Sequence, residues 1–339
     1  MTVNGKPTIN DVARIAKVSK KTVSRVINKS PLLSEKTRVQ VEQVIADIGY
    51  VPNPQARALA LRRNFIIAAI HDNPNAQFLV NVQQGILEGI AGTEFGLMVE
   101  PVDRNSPTIV DDIRGFLERQ RPYGVVFLPP ISENDELASL CDSLGTKYVR
   151  MVSRELDKPE HIVMSNDREA VYGAVKHLIA MGHEKIGFIE GPDSLSPAER
   201  RAGYEQAMEE AGLPVHDWMI AKGRYTFESG VEAGLALIDG EARPTAIFAS
   251  NDEMAIGAVI AARRRGIEIP RGLSIIGFDD TPLSSHIWPS LTTVRWPIVE
   301  MAKAAATKII GGEEADPNLG VKLSSTLMER DSVVPPSRV

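Results

Sequence analysis

Cysteine is all but missing from this 339-residue chain. Cys141 stands alone, so no intrachain disulfide forms and a reducing compartment is the natural reading. No apolar run approaches the roughly 18 residues needed to span a bilayer. The polar start, Met1 to Asn10, lacks the basic-then-apolar layout of a secretion signal. A cytoplasmic protein with no membrane partner is therefore expected. Signatures of enzymes are missing as well. His183-Glu184 has no second histidine four residues on, so no zinc-protease helix is present. There is no phosphate loop ending in Gly-Lys-Ser/Thr and no Gly-x-Gly-x-x-Gly. The six histidines are scattered, and none lies near Cys141. Accordingly no catalytic residue, metal ligand or cofactor is expected, and His177 and His183, at a helix end, read as packing or capping residues.

What is present is uneven charge. The hydrophobic fraction of 43% and charged fraction of 24% are ordinary for a globular chain, and the length suits two or three domains. The net charge of −6 conceals a split. Residues 1–63 hold 12 Lys+Arg against 4 Asp+Glu, or +8, and the rest holds 26 against 40, or −14. A basic head on an acidic body either meets a polyanion or is merely a solvated tail. The pattern within the head decides between them.

Thr8-Ile9-Asn10-Asp11 opens a helix with a hydroxyl cap and an acid three residues on. Val12, Ile15 and Ala16 give that helix one apolar face. It stops near Lys17-Val18, because Ser19 is a second cap, after which Val23, Val26 and Ile27 recur at offsets of three and four. A third helix starts at Ser34, carries Val41, Val44, Ile45 and Ile48, and ends at Gly49. The short turn between the first two has helix-turn-helix spacing. In that motif the second helix enters the major groove of DNA. Its leading side chains here are Lys20, Lys21, Thr22 and Arg25. Lysine and arginine match the acceptor pair on guanine, and a threonine methyl matches thymine. Thr8, Ser19, Ser24 and Asn28 are short polar groups placed for phosphates. A bundle whose cations only solvate its surface is the competing reading, and it leaves the two-faced second helix unexplained.

The run Thr8-Ile9-Asn10-Asp11-Val12-Ala13, then Val18-Ser19 and Thr22-Val23-Ser24-Arg25-Val26-Ile27-Asn28, closely resembles the lactose-repressor and galactose-repressor (LacI/GalR) family. So do Tyr50-Val51-Pro52-Asn53 and Ala56-Arg57-Ala58-Leu59. Lys17 departs from the pattern, since many members have glycine in that turn, where positive φ comes easily. The resemblance implies that residues 53–61 form a hinge helix on operator DNA, with Leu59 wedged between base pairs and Asn53 and Arg57 beside the groove. An apolar wedge opens a base step and kinks the duplex. Read without the family, Leu59 is an ordinary apolar linker residue. So short a helix is unstable in isolation, which makes the hinge a natural point of control.

From Phe65 onward short apolar runs alternate with amphipathic stretches. The strand-like runs are Phe65–Ile70, Leu97–Val99, Val125–Leu128, Tyr148–Val152, Ile186–Ile189, Ala246–Ala249 and Ser274–Phe278. The helical ones include Phe78–Ala91, Ala170–Met181, Arg200–Ala211 and Asp252–Arg265. Continuous apolar strands between helices predict α/β lobes with parallel sheets covered on both faces. The expected architecture is an all-α helix-turn-helix head (1–52), a hinge (53–63) and a body (64–339). The body is two doubly wound lobes, about 64–162 with 292–325 and about 163–291 with 326–339. It resembles the periplasmic-binding-protein fold that the family carries.

Ligands in open α/β sheets bind beyond the carboxyl ends of strands. Residues just past those ends are Asp72-Asn73, Ser153-Arg154, Asn251-Asp252 and Asp279-Asp280. The resemblance assigns effector contacts to Arg200, Asn251 and Asp279, more loosely to Ser196, and to Tyr225 and Phe78 as aromatics. With Asn73 and Arg154 these form the expected effector set. Carboxylate, guanidinium and amide groups suit neighbouring hydroxyls. Asn251-Asp252 also reads as a helix cap, and Trp288 and Trp296 as core or lobe-interface residues. The resemblance implies a homodimeric regulator of operator DNA, most simply a repressor answering to a sugar or glycoside. A purine-like corepressor is the alternative effector. A solute-binding protein would share the body but not the head, and a sugar-processing enzyme would need a paired acid and base. Helices Phe78–Ala91 and Met254–Arg265 are the expected dimer faces. With no heptad tail after Val339, a dimer is expected rather than a coiled-coil tetramer.

Overall fold

The computed structural model describes residues 7–27, 33–51, 64–240, 242–311 and 316–337. Asn28, Asn53, Arg57 and Leu59 lie outside them. The chain divides into two units, Met1–Phe65 and Ile66–Val339.

In the first unit, helices α1 (Ile9–Ile15), α2 (Lys20–Ile27) and α3 (Glu35–Ile48) close on one small core of Val12, Ala13, Ala16, Val23, Val26 and Val41. Each start has its cap. Thr8 gives both its backbone N–H (3.1 Å) and its hydroxyl (2.7 Å) to Asp11 Oδ2. Ser19 Oγ accepts from the Thr22 amide at 3.1 Å, and Ser34 Oγ from the Thr37 amide at 3.3 Å. These bonds satisfy amide groups that a helix start leaves without partners. Gly49, at φ 65°, ends α3 in the left-handed conformation that glycine takes at least cost.

The second unit opens with β1 (Ile66–His71), α4 (Ala76–Gly89), β2 (Gly96–Pro101), α5 (Ile109–Gln120), β3 (Gly124–Phe127), α6 (Asp135–Leu144), β4 (Lys147–Val152) and β5 (Ile162–Met164). Its first sheet runs β2-β1-β3-β4-β5, all parallel. A second lobe follows with α7 (Asp167–Ala180), β6 (Ile186–Glu190), α8 (Leu195–Glu210), β7 (Ile220–Lys222), α9 (Phe227–Ile238), β8 (Ala246–Ala249), α10 (Asp252–Arg264), β9 (Ser274–Asp279), α11 (Pro282–His286) and β10 (Thr292–Arg295). The chain then returns to the first lobe as α12 (Ile298–Gly311), which packs on α4, before β11 (Thr326–Met328) pairs antiparallel with β10. The second sheet runs β11-β10-β9-β8-β6-β7.

Two expected lobe limits shift. Residues 292–295 pair with β9, so the return to the first lobe comes after Arg295 and not at 292. Val163 and Met164 pair with β4, so the first sheet runs past 162. Strands β5, β7 and β11, three residues each, are too short to show a period of their own. Helix α8 starts at Leu195, ahead of the expected Arg200, because Pro197 is compatible with a first helical turn.

Both lobes use the same close helix contact. A Cβ on Gly85 of α4 would stand 2.2 Å from the Val299 carbonyl of α12, and one on Gly230 of α9 would stand 2.4 Å from Met254 Cα of α10. Helix α10, expected as a dimer face, is buried from Met254 to Ala262 apart from Ile260, which is half-buried, because it is covered by α9 on one side and by β8 and β9 on another. The large apolar side chains exposed on the body include instead Val80 and Leu87 on α4, and Leu283 and Trp288 beyond β9.

Candidate functional site

On the head, Val23 and Val26 face the core while Lys20 and Lys21 are exposed and Thr22, Ser24 and Arg25 are partly exposed. The second helix therefore presents one cationic, hydrogen-bonding side. The hydroxyls of Ser19 and Thr22 lie 2.9 Å apart, so the cap and the first turn hold each other. Thr8 is exposed at the start of α1. Lys17 sits at φ 51° in the turn, in the left-handed region that a glycine enters more cheaply.

In the body, a cavity of about 540 Å³ lies where carboxyl ends of strands from both sheets converge, a usual size for a ligand site. Its lining follows the strand ends: Asp72 after β1, Arg104 after β2, Pro129-Pro130 after β3, Arg224-Tyr225 after β7, Asn251 after β8 and Asp279 closing β9. Of the expected effector residues, Asn73, Phe78, Ser196, Arg200, Tyr225, Asn251 and Asp279 all line this one space. Arg154 does not: β4 ends at Val152, Ser153 turns inward to accept the Ser196 hydroxyl at 3.2 Å, and Arg154 is left exposed.

Arg200 organises the floor. It is buried, donates from Nε to Asp167 Oδ2 at 2.9 Å and from Nη1 to the Ser250 carbonyl, and lies 3.6 Å from the centroid of the Phe278 ring. A buried cation is tolerable only with such partners. Burial pushes the Asp279 carboxyl well above its usual range, against the pull of Arg200. Asn251 serves two purposes. Its Oδ1 accepts from the Met254 amide at 2.9 Å as the cap of α10, and its Nδ2 donates to the Tyr225 carbonyl at 3.2 Å. Asp252 is structural: fully buried, it accepts from Thr281 and Thr293. Tyr225 (φ 60°) and Asp279 (φ 117°) hold left-handed backbone, a strain that concentrates at functional sites. The Tyr225 ring lies against Gly191, where a Cβ would stand 2.5 Å from it. Glu133 of the first lobe accepts from the Leu195 amide of the second at 3.0 Å, a bond from one lobe to the other.

Residue-by-residue reading missed Arg104, Arg224 and Trp296. The strand-end rule would have found Trp296, which directly follows β10. It is 8% exposed, lines the cavity and stacks on Phe78 at 5.7 Å, whereas Trp288 is 78% exposed and belongs to no core. Among the described residues, no group of three or more metal-ligating side chains is gathered, and no helix is long and apolar enough to cross a membrane.

A two-lobed α/β body with a ligand-sized cleft, joined in one chain to a helix-turn-helix unit, defines a ligand-responsive DNA-binding regulator. Residues 8–53 match the bacterial regulatory proteins of the lacI family, and residues 175–333 match the periplasmic binding protein-like domain. The chain is 38% identical over 300 residues to the HTH-type transcriptional regulator DegA of Bacillus subtilis, covering 87% of this chain and 88% of that one. It is 32% identical over 339 residues to the HTH-type transcriptional regulator CelR of Thermobifida fusca, covering 96% and 98%. The solved structure of a transcriptional regulator CelR–cellobiose complex superposes with a TM-score of 0.71 at 28% identity, covering 96% of this chain and 100% of that one. The chain belongs to the LacI family of bacterial regulatory proteins. Like the relatives it matches, it is a DNA-binding transcriptional regulator and not an enzyme.

Proposed function

We propose that this protein is an operator-specific repressor whose DNA affinity is set by a sugar or glycoside held between the lobes. The observation that carries this reading is the convergence of Arg200, Asn251, Asp279 and Ser196 with Phe78 and Tyr225 on one cavity. Such a set offers directed hydrogen bonds to several hydroxyls and aromatic cover for a sugar's apolar face. The cellobiose in the CelR complex supports the same class of ligand. Lys20, Lys21, Thr22 and Arg25 read bases, and Thr8, Ser19, Ser24 and Asn28 grip phosphates. Leu59, flanked by Arg57 and following Asn53, wedges the central step. Two copies associate through the Val80–Leu87 side of α4 and the Leu283–Trp288 region, pairing two heads about one duplex turn (~34 Å) apart or a multiple of it. Effector acts only through its different affinities for two lobe arrangements.

The test is operator selection followed by binding assays with the full chain. Specific affinity should fall steeply as salt rises from 50 to 200 mM, on the order of a hundredfold or more. Leu59→Ala should lose at least about tenfold in operator affinity while its affinity for effector is unchanged. Cellobiose or another sugar from a panel should stabilise the body and change operator affinity. Salt-independent DNA binding would refute the head assignment, and stabilisation by nucleobases alone would replace the sugar with a purine-like corepressor.

A further inference from the structure

Three arginines line the cavity, and each already faces a carboxylate. Arg200 is bonded to the buried Asp167 at 2.9 Å. Arg104 Nε lies 3.3 Å from Asp72 Oδ2, and Arg224 Nη2 lies 3.1 Å from Glu232 Oε2 at the exposed rim. Glu133 and Asp193 add negative potential around Arg104. Each of these guanidinium groups thus has a carboxylate partner of its own, and none is left uncommitted for an anionic ligand. Of the buried polar atoms left without a hydrogen-bond partner among the described residues, two belong to this cleft: Asp72 Oδ1, an acceptor, and Trp296 Nε1, a donor. Both residues line the cavity. Buried polar atoms are normally satisfied, and orphans at a cleft point to a bound group.

We propose that the cleft selects an uncharged polyhydroxylated effector, with Asp72 Oδ1 accepting from a hydroxyl and Trp296 Nε1 donating to an oxygen of the same molecule. The Asp72–Arg104 pair turns away uronates and phosphorylated sugars, since either would have to break the pair and approach its carboxylate. This refinement rests on reading the cleft as a sugar site. The indole is held for the task, stacked on Phe78 of the first lobe and tilted 6.2 Å from Phe278 of the second.

Isothermal titration of the full chain with glucose, galactose and cellobiose, and with glucuronate, galacturonate and glucose 6-phosphate, tests the proposal. A neutral sugar should bind at least tenfold more tightly than its acidic counterpart. Asp72→Ala should narrow that ratio at least tenfold by releasing Arg104, a gain toward the acidic sugar that mere damage to the fold does not produce. Trp296→Phe, which keeps the stacked ring but lacks the N–H, should weaken the neutral sugar about tenfold. An acidic sugar binding as tightly as its neutral counterpart overturns the charge filter. An unchanged ratio in Asp72→Ala, or unchanged affinity in Trp296→Phe, overturns the corresponding contact. No binding by any of the six overturns the sugar reading itself, and this refinement with it.

Discussion

Arg200 shows how closely binding and stability are joined at single residues of the cleft. Its guanidinium compensates Asp167, which is fully buried and also accepts the Ser165 hydroxyl at 2.5 Å. Removing one member of such a pair leaves a bare buried charge. Arg200→Met should therefore cost about 3–5 kcal/mol in urea unfolding, and lost effector binding in that variant would not by itself prove a contact. Arg154→Ala, at an exposed position away from the lining, should stay within about 0.5 kcal/mol and bind effector normally. In the head the strained residue is Lys17. Replacing it with glycine relieves left-handed backbone but frees the unfolded chain. Lys17→Gly should gain about 0.5–1 kcal/mol, seen as slower amide exchange at Val12, Val23 and Val41 in the full chain.

Among the elements, helix pairs set the lobes' rigidity. The face of α4 that meets α12 has a glycine where any side chain would collide with the Val299 carbonyl and the Ala302 methyl. Alanine is the better helix former, yet overpacking dominates when backbone is the obstacle. Gly85→Ala should destabilise the body by about 1–3 kcal/mol in thermal or urea unfolding. A neutral or stabilising result would mean that the two helices part without cost. The same helix carries Phe78 near its start, capped by Asn75, whose Oδ1 accepts from the Phe78 amide at 3.0 Å. Helix packing, capping and the aromatic wall of the cleft thus depend on one another.

Across the whole molecule, buried carboxyls make stability depend on pH in an uncommon direction. Burial raises Asp252 to about 7, only partly offset by bonds from Thr293 and Thr281. A folded-state value above the unfolded one means that the folded chain holds the extra proton. Stability from this group is present at low pH and is lost as pH rises from about 4 toward 7. The buried His71 and His183, lowered by burial, act oppositely. The clean observable is a difference between variants. Relative to the parent, Asp252→Asn should gain stability progressively between pH 4 and 7 and level off above it. A difference independent of pH would show that the carboxyl ionises normally.

Much of this was legible in residues alone. The caps at Thr8, Ser19 and Ser34 and the spacing of Val23 and Val26 specify three short helices by local chemistry. The apolar runs of β3, β8 and β9 announce strands covered on both faces. These are properties of neighbours in sequence, where period and capping act. What only tertiary structure decided is which strand ends meet. Trp296 and Asp72 stand more than two hundred positions apart, Arg104 is an unremarkable loop cation in sequence, and Arg154 differs from Ser153 by a single step of the chain. Whether a side chain enters the cleft or solvent depends on the last turn of its strand and on a lobe built from distant segments. Periodicity carries no record of that, because the forces that settle it act through space between elements and not along the chain.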